Sequence, residues 1–244
     1  MTGFLGKLLG EETRWRIQFA RLALRRARRI EIRPRDCNIC GFSGYFLPMG
    51  RVIRPEAKCP NCGSAERHRL FKLWLDQNPN ALKGRKTLHF AAEPCIARFV
   101  KPLVSEYVTA DIVPGRDLVL DIENIALPDS SFDAIICFHV LEHVDDRKAL
   151  AELRRILRPH GFLFLMFPIA AGWAKTYEDS AITDPKDREV YFGQANHVRI
   201  FGADAGDRIA STGFLLTEFT ATGPDSVTFS ISPGEKLFVA RRSG

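Results

Sequence analysis

The spacing of apolar positions divides the chain into three stretches of different character. Residues 11–30, EETRWRIQFARLALRRARRI, repeat at helical spacing, with Arg14, Arg21, Arg25 and Arg28 on one face. Trp15, Phe19 and Leu22 flank that face on one side, and Ile17, Ala20, Leu24 and Ala27 on the other. Glu11 and Glu12 sit at the end where the helix dipole favours anions. Residues 37–62 lose this period and hold two strand-like runs, GFSGYFL and GRVIRP, joined by a Pro-Met-Gly turn. SAERHRLFKLWLDQ then returns to helical spacing, offering Leu70, Phe71, Trp74 and Leu75 for packing, and Asn78-Pro79-Asn80 ends it.

From Lys86 the pattern becomes strand and helix in alternation. Strands are predicted over Leu88–Ala91, over Tyr107–Ala110 ending at Asp111, and over the strongly apolar Phe132–Phe138. Between and after them, Ile96–Val104 reads as a helix broken by Pro102, and 146–157 as a second helix. Arg158-Pro159-His160-Gly161 is a predicted turn into FLFLMF, and Phe214–Thr220 and Lys236–Ala240 supply two final strands. Such alternation implies a parallel sheet covered on both faces. Three units follow: a basic amphipathic helix over 1–35, a cysteine-bearing segment with its linking helix over 36–80, and an α/β domain over 81–244.

Composition changes this picture little. A chain of 244 residues with 45% hydrophobic and 26% charged content suits a soluble globular protein, and no stretch approaches the ~20 apolar residues that span a bilayer. No signal peptide is read at the N-terminus, so the expected location is cytoplasmic. Charge is more informative. The net +6 is concentrated in residues 1–35, where ten Lys/Arg face three Glu, leaving the rest almost neutral. Packing on the main domain, docking on an anionic membrane surface and RNA binding remain alternatives for that helix.

Four of the six cysteines form two Cys-x-x-Cys pairs, Cys37/Cys40 and Cys59/Cys62, separated by 18 residues. This pattern fits tetrahedral zinc held by four thiolates, and so small a segment needs the metal to fold. Redox thiols and disulfides are the alternatives, but a redox site needs one such pair and disulfides are rare in the cytosol. Four thiolates leave no open position, so the ion is expected to be structural. Cys137 lies in an apolar strand and Cys95 is expected to be buried and inert.

In open parallel sheets ligands sit beyond the carboxyl ends of the strands. Here those ends carry Ala91-Ala92-Glu93, then Asp111, then Asp121-Ile122, then Phe138-His139-Val140-Leu141-Glu142-His143-Val144. Asp111 follows His89 by 22 residues, about the spacing at which a carboxylate accepts hydrogen bonds from a ribose diol.

These elements resemble class I S-adenosylmethionine-dependent methyltransferases of the type-11-like group. TADI (109–112), DIENIALPDSSFDAIICFHVLEHV (121–144) and LRRILRPHGFLFL (153–165) carry the resemblance, which spans about residues 86–170. CPNCGSAERHRL ahead of it is similar to a bacterial subgroup bearing an N-terminal zinc ribbon. The resemblance implies a Rossmann-like methyltransferase fold: a mostly parallel seven-stranded sheet with helices on both faces, preceded by the zinc ribbon and the basic helix. It implies that Asp111 holds the ribose hydroxyls of S-adenosylmethionine and that Asp121 and the Ile122 amide meet the adenine. Phe138 and His139 would border the methionine part and the acceptor, and His143 is a candidate general base. The usual Asp-x-Gly-x-Gly-x-Gly is replaced by His89-Phe90-Ala91-Ala92-Glu93-Pro94-Cys95. Ala91 and Ala92 still permit close approach, and Glu93 is a candidate partner for the cofactor's ammonium.

Residues 168–205 form a long polar and aromatic insertion of the sort that builds lids and pockets. His197 and Arg199 within it are candidates to present a base and a cation, with ordinary surface salt bridges as the alternative. Methyl transfer to a small-molecule or glycan-type acceptor is therefore expected. RNA methylation, with the zinc ribbon and basic helix on the phosphate backbone, and a non-catalytic interaction module are the other readings.

Overall fold

A computed structural model of the protein describes residues 33–50 and 53–244. The basic helix expected over 11–30 lies outside the described residues, and so do the membrane and RNA contacts assigned to it.

Two matching turns carry the cysteine pairs. In each, the glycine after the second cysteine donates its N–H to the first cysteine's carbonyl, Gly41 to Cys37 at 2.9 Å and Gly63 to Cys59 at 3.0 Å. Both glycines lie in the left-handed region, at φ 73° and 72°, where a side chain would be strained. Strand β1 (Arg35–Asp36) pairs with β2 (Ser43–Gly44), and β3 (Leu47–Met49) with β4 (Arg54–Lys58), both antiparallel. GFSGYFL thus divides between two hairpins, where the sequence predicts one. Helix α1 (Glu66–Gln77) follows directly.

The main body is built from β5 (Lys86–Phe90), α2 (Pro94–Val100), β6 (Glu106–Asp111), β7 (Leu118–Val119) and β8 (Phe132–Phe138). Then come α3 (Asp146–Ile156), β9 (Leu157–Met166), β10 (Tyr177–Glu178), α4 (Pro185–Phe192) and β11 (Arg199–Ile200). Helix α5 (Ala205–Ala210), β12 (Phe214–Phe219), α6 (Gly223–Thr228) and β13 (Leu237–Arg242) complete it. Seven strands form one sheet in the order β12-β13-β9-β8-β5-β6-β7. Only β13 runs against its two neighbours. Strand order reverses at β5 and β8, so the crevice above their carboxyl ends is where a ligand belongs.

Alternation of side chains explains the layers. Leu88, Ile135, Cys137, Leu163, Leu165, Phe238 and Ala240 face one side, against Ala149, Leu150 and Leu153 of α3 and Ile209 of α5. Ala134, Ile136, Phe138, Phe164, Met166 and Val239 face the other, against α1 and α2. Phe71 of α1 meets Phe138 edge-on at 5.2 Å, and Trp74 meets Phe164 at 5.2 Å. The helix after the second cysteine pair is therefore part of the sheet's covering layer.

One expected turn is absent. Register steps from Phe132 opposite Leu157 to Ala134 opposite Phe162, so Arg158-Pro159-His160-Gly161 bulges within β9, with His160 at φ 61°. Pro159 has no N–H to give the ladder, which favours a bulge there. Helix α2 also ends at Val100, ahead of the expected bound at Val104, because Pro102 cannot continue it. Among the described residues no helix is long and apolar enough to cross a membrane.

Candidate functional site

The four cysteine sulfurs converge. Cys37 Sγ lies 3.6 Å from Cys62 Sγ, and Cys40 Sγ lies 3.7 Å from Cys59 Sγ. A tetrahedron of thiolates at ~2.3 Å from a zinc ion has edges of about 3.8 Å, whereas a disulfide would bring two sulfurs to ~2.05 Å. All four are free thiols, with Cys37 and Cys59 buried against Phe46. The donor set and spacing fit one tetrahedral ion.

Arg69 fastens this unit to the sheet. Its guanidinium is fully buried and donates to Ser64 O at 2.7 Å, Ala57 O at 2.9 Å, Phe229 O at 2.6 Å and Ser230 O at 2.8 Å. It also lies over the Phe46 ring, 4.8 Å from the centroid. Two of these carbonyls belong to the cysteine unit and two to the loop before β13.

Beyond the carboxyl ends of the parallel strands, the loop after β5 keeps a glycine-like backbone without glycine. Ala91 stands at φ 48°, donating its N–H to Ala110 O at 2.9 Å. Across the crevice His139, at the end of β8, stands at φ 56°. Left-handed backbone at two non-glycine residues costs about 1–2 kcal/mol each, and such strain gathers at functional sites. Asp111 ends β6 half-buried, and Asp121, after β7, is exposed and accepts the Glu123 N–H at 2.9 Å. Ile122 and Phe138 are buried, Ile122 in the core on one side of the sheet and Phe138 in the core on the other. Asp111 and His139 thus stand at or just beyond the carboxyl ends of β6 and β8, and Ala91 just beyond that of β5.

Glu93 is engaged from the other side. Its Oε1 lies 2.5 Å from Arg67 Nη2 and 2.9 Å from His68 Nε2, both on α1. Burial works against its charge, but hydrogen bonds and charges from His68 and Arg67 outweigh that and hold its carboxyl at about 2. Burial pushes the His68 imidazole below its ordinary value, with Glu93 pulling the other way. His89, at the position of the missing acid, is fully buried, with Nδ1 2.6 Å from Tyr107 Oη. Desolvation lowers it to about 3, so it is neutral, and its Nε2 has no partner. Cys95 is buried beside His68 Nδ1 at 3.0 Å, and burial pushes its thiol up to about 11. Sequence reasoning missed Arg67 and His68. They stood in the quoted CPNCGSAERHRL, but nothing along the chain brings that helix to the loop after β5.

A cavity of about 310 Å³ opens where α1, the end of β9 and the loop before β13 meet. Arg67, His139, Phe167, Ser232 and Glu235 are among its lining. Burial raises the Glu235 carboxyl above its ordinary value. His139 Nδ1 lies 3.2 Å from Glu142 Oε1, and its Nε2 is buried without a partner.

His143 and His197, far apart in sequence, meet with ring centroids 4.7 Å apart. The insertion reaches them because Val198 donates its N–H to Glu142 O at 2.9 Å. Arg199 is buried, donating to Leu141 O at 2.8 Å and also to Val144 O, with Asp146 at 3.4 Å and Glu178 at 3.0 Å. Arg199 is thus engaged inside the fold rather than on the surface where ordinary salt bridges were the alternative. His197 is likewise buried, and desolvation lowers its imidazole's affinity for a proton, with His143 adding to the effect.

Residues 84–165 match the model of a family described as a methyltransferase domain. An uncharacterized protein of Methanocaldococcus jannaschii is 41% identical over 51 residues, which cover 21% of this chain and 23% of that protein. The chain thus spans about a quarter of the curated relative's length. A solved S-adenosylmethionine-dependent methyltransferase of Mesorhizobium loti is 16% identical with a TM-score of 0.52, over 75% of this chain and 100% of that one. The 1,6-didemethyltoxoflavin-N1-methyltransferase of Burkholderia thailandensis, solved with that compound and S-adenosylhomocysteine, is 14% identical with a TM-score of 0.50. That match covers 74% of this chain and 79% of that one. At these identities the likeness is one of fold. The chain has the Rossmann-like methyltransferase fold, and the domain match together with that fold supports a class I methyltransferase.

Proposed function

We propose that the protein is an S-adenosylmethionine-dependent methyltransferase that acts on a small-molecule acceptor, with one structural zinc ion on Cys37, Cys40, Cys59 and Cys62. The observation that carries this reading is the set of donors at the strand ends within and beside the matched domain. Asp111 offers carboxylate oxygens for two vicinal hydroxyls, Asp121 offers one for an exocyclic amine beside the Ile122 backbone, and Phe138 and His139 border the methionine part. Ala91 and Ala92 let the backbone approach closely. The neighbour from Burkholderia thailandensis, which holds S-adenosylhomocysteine on the same fold, agrees with it.

When bound, the cofactor supplies an electrophilic methyl group on a sulfonium. The chain's own residues then position and deprotonate. Glu93 meets an ammonium through Oε2 only, since Arg67 and His68 hold Oε1. The cavity of about 310 Å³ has room for a compact acceptor. In this reading the His139 imidazole, which lines that cavity and is oriented at Nδ1 by Glu142, takes the acceptor's proton as the nucleophile forms its bond.

Titration calorimetry with S-adenosylmethionine tests the reading. Binding in the micromolar range, weakened at least tenfold in Asp111→Ala, is expected. Absence of binding to the zinc-loaded wild-type protein would leave a non-catalytic module as the better account.

A further inference from the structure

Glu142, His143 and His197 form a second cluster of metal-ligating groups, separate from the cysteines. One donor atom from each lies within 4.8 Å of the others. Three observations show that the cluster is built for a ligand. His143 Nδ1 faces Asn196 O at 3.1 Å, and His197 Nδ1 faces Phe192 O at 3.1 Å. Each imidazole therefore carries its proton on Nδ1, donated to a backbone carbonyl, and keeps a lone pair on Nε2. This is the tautomer and outer hydrogen bond that a metal-binding histidine requires.

The second observation is an unsatisfied acceptor. Glu142 is 2% exposed; its Oε1 takes His139, and its Oε2 is buried with no partner. Leaving a buried carboxylate oxygen bare costs about 1–3 kcal/mol or more. The nearby cation does not relieve it, because the Arg199 guanidinium is spent on Leu141 O, Val144 O, Asp146 and Glu178. A positive ion between Glu142 and the two imidazoles would.

The third is rigidity. The ligands come from two distant segments that backbone bonds hold in register: Val198 N–H to Glu142 O at 2.9 Å, and His143 N–H to Val140 O at 3.0 Å.

We propose that Glu142, His143 and His197 bind one divalent cation of the Mn²⁺–Zn²⁺ series, clasping the 168–205 insertion to the turn after β8. Two imidazoles and one carboxylate suit this series, and three protein ligands leave positions open for water or an oxygen of the acceptor. Ligand atoms in such a site stand roughly 3–3.6 Å apart at metal–ligand distances of ~2.1 Å, so closure needs a shift of about 1 Å or less in each side chain. The inference rests on this cluster's geometry alone and stands apart from the methyl-transfer reading.

The test uses full-length protein isolated with its cysteine set filled and one zinc per chain confirmed by elemental analysis. Mn²⁺ is the probe, because thiolates bind it poorly, and the free ion is followed by electron paramagnetic resonance. One saturable Mn²⁺ per chain is expected, with nitrogen modulation in the electron spin echo from directly bound imidazole. His143→Ala and His197→Ala should each weaken binding at least tenfold while zinc content stays at one. His143 is half-buried and is the gentler change; the nitrogen signature in wild-type protein needs no variant at all. No saturable binding, binding without nitrogen modulation, or equal binding by both folded variants would each overturn the site.

Discussion

His89 shows how much one residue's surroundings decide. The same imidazole on the surface would titrate near neutrality; enclosed between Tyr107 and Phe138, it is held neutral down to about 3. Its folded affinity for protons lies below its unfolded one, so its contribution to stability is complete above about pH 6.5. As pH falls from there toward 3, the unfolded chain takes up a proton that the folded chain refuses, and stability is lost. His68 and His197 are shifted in the same direction and add to the loss. Replacing His89 by Gln removes one such group. Between about pH 6 and 5 the slope of unfolding free energy against pH should flatten by about 1 kcal/mol per unit, read from urea titrations at each pH. An unchanged slope would mean that His89 takes up its proton in the folded protein.

At the scale of elements, Arg199 is a buried tie between the 168–205 insertion and the rest of the fold. Strand β11 pairs with β10, and Arg199 within it reaches the carbonyls that end the turn after β8. It shares Asp146 with Arg208, whose Nε lies 2.8 Å from Oδ2. Removing Arg199 strips the partner from buried carbonyls and leaves the buried Asp146 carboxylate with one of its two cations. Arg199→Ala should therefore cost about 3 kcal/mol and speed proteolytic cleavage within 168–205 before the rest of the chain. Uniform proteolysis along the chain would show that the insertion has no separate clasp.

For the whole molecule, the cysteine unit and the sheet are joined through buried polar contacts. Arg69 satisfies four carbonyls from both partners, Ser230 Oγ donates to Glu56 O at 2.7 Å, and Arg67 ties α1 to Glu93. Arg69→Ala leaves those carbonyls bare in a fully buried space and should destabilise the protein by about 3–5 kcal/mol, measured by urea unfolding. Because α1 covers one face of the sheet, the loss should appear in the main unfolding transition. A separate early transition, with the main one unmoved, would mean that the cysteine unit unfolds on its own.

Local patterns along the chain determined a good deal of this. Alternating apolar positions set which strands form and which of their faces are buried, because side-chain direction in a strand has period two whatever the neighbours are. The spacing of the cysteine pairs foretold four converging sulfurs, and the positions of Asp111 at the end of β6 and Asp121 after β7 were legible because apolar runs mark where strands stop. Contacts between distant segments carry no such local signature. That Glu93 would turn to Arg67 and His68, that His197 would meet His143, and that Arg199 would be spent inside the fold depended on where α1 and the insertion pack. Those docked positions are set by shape and by buried polar satisfaction between segments many residues apart, and only the tertiary structure decides them.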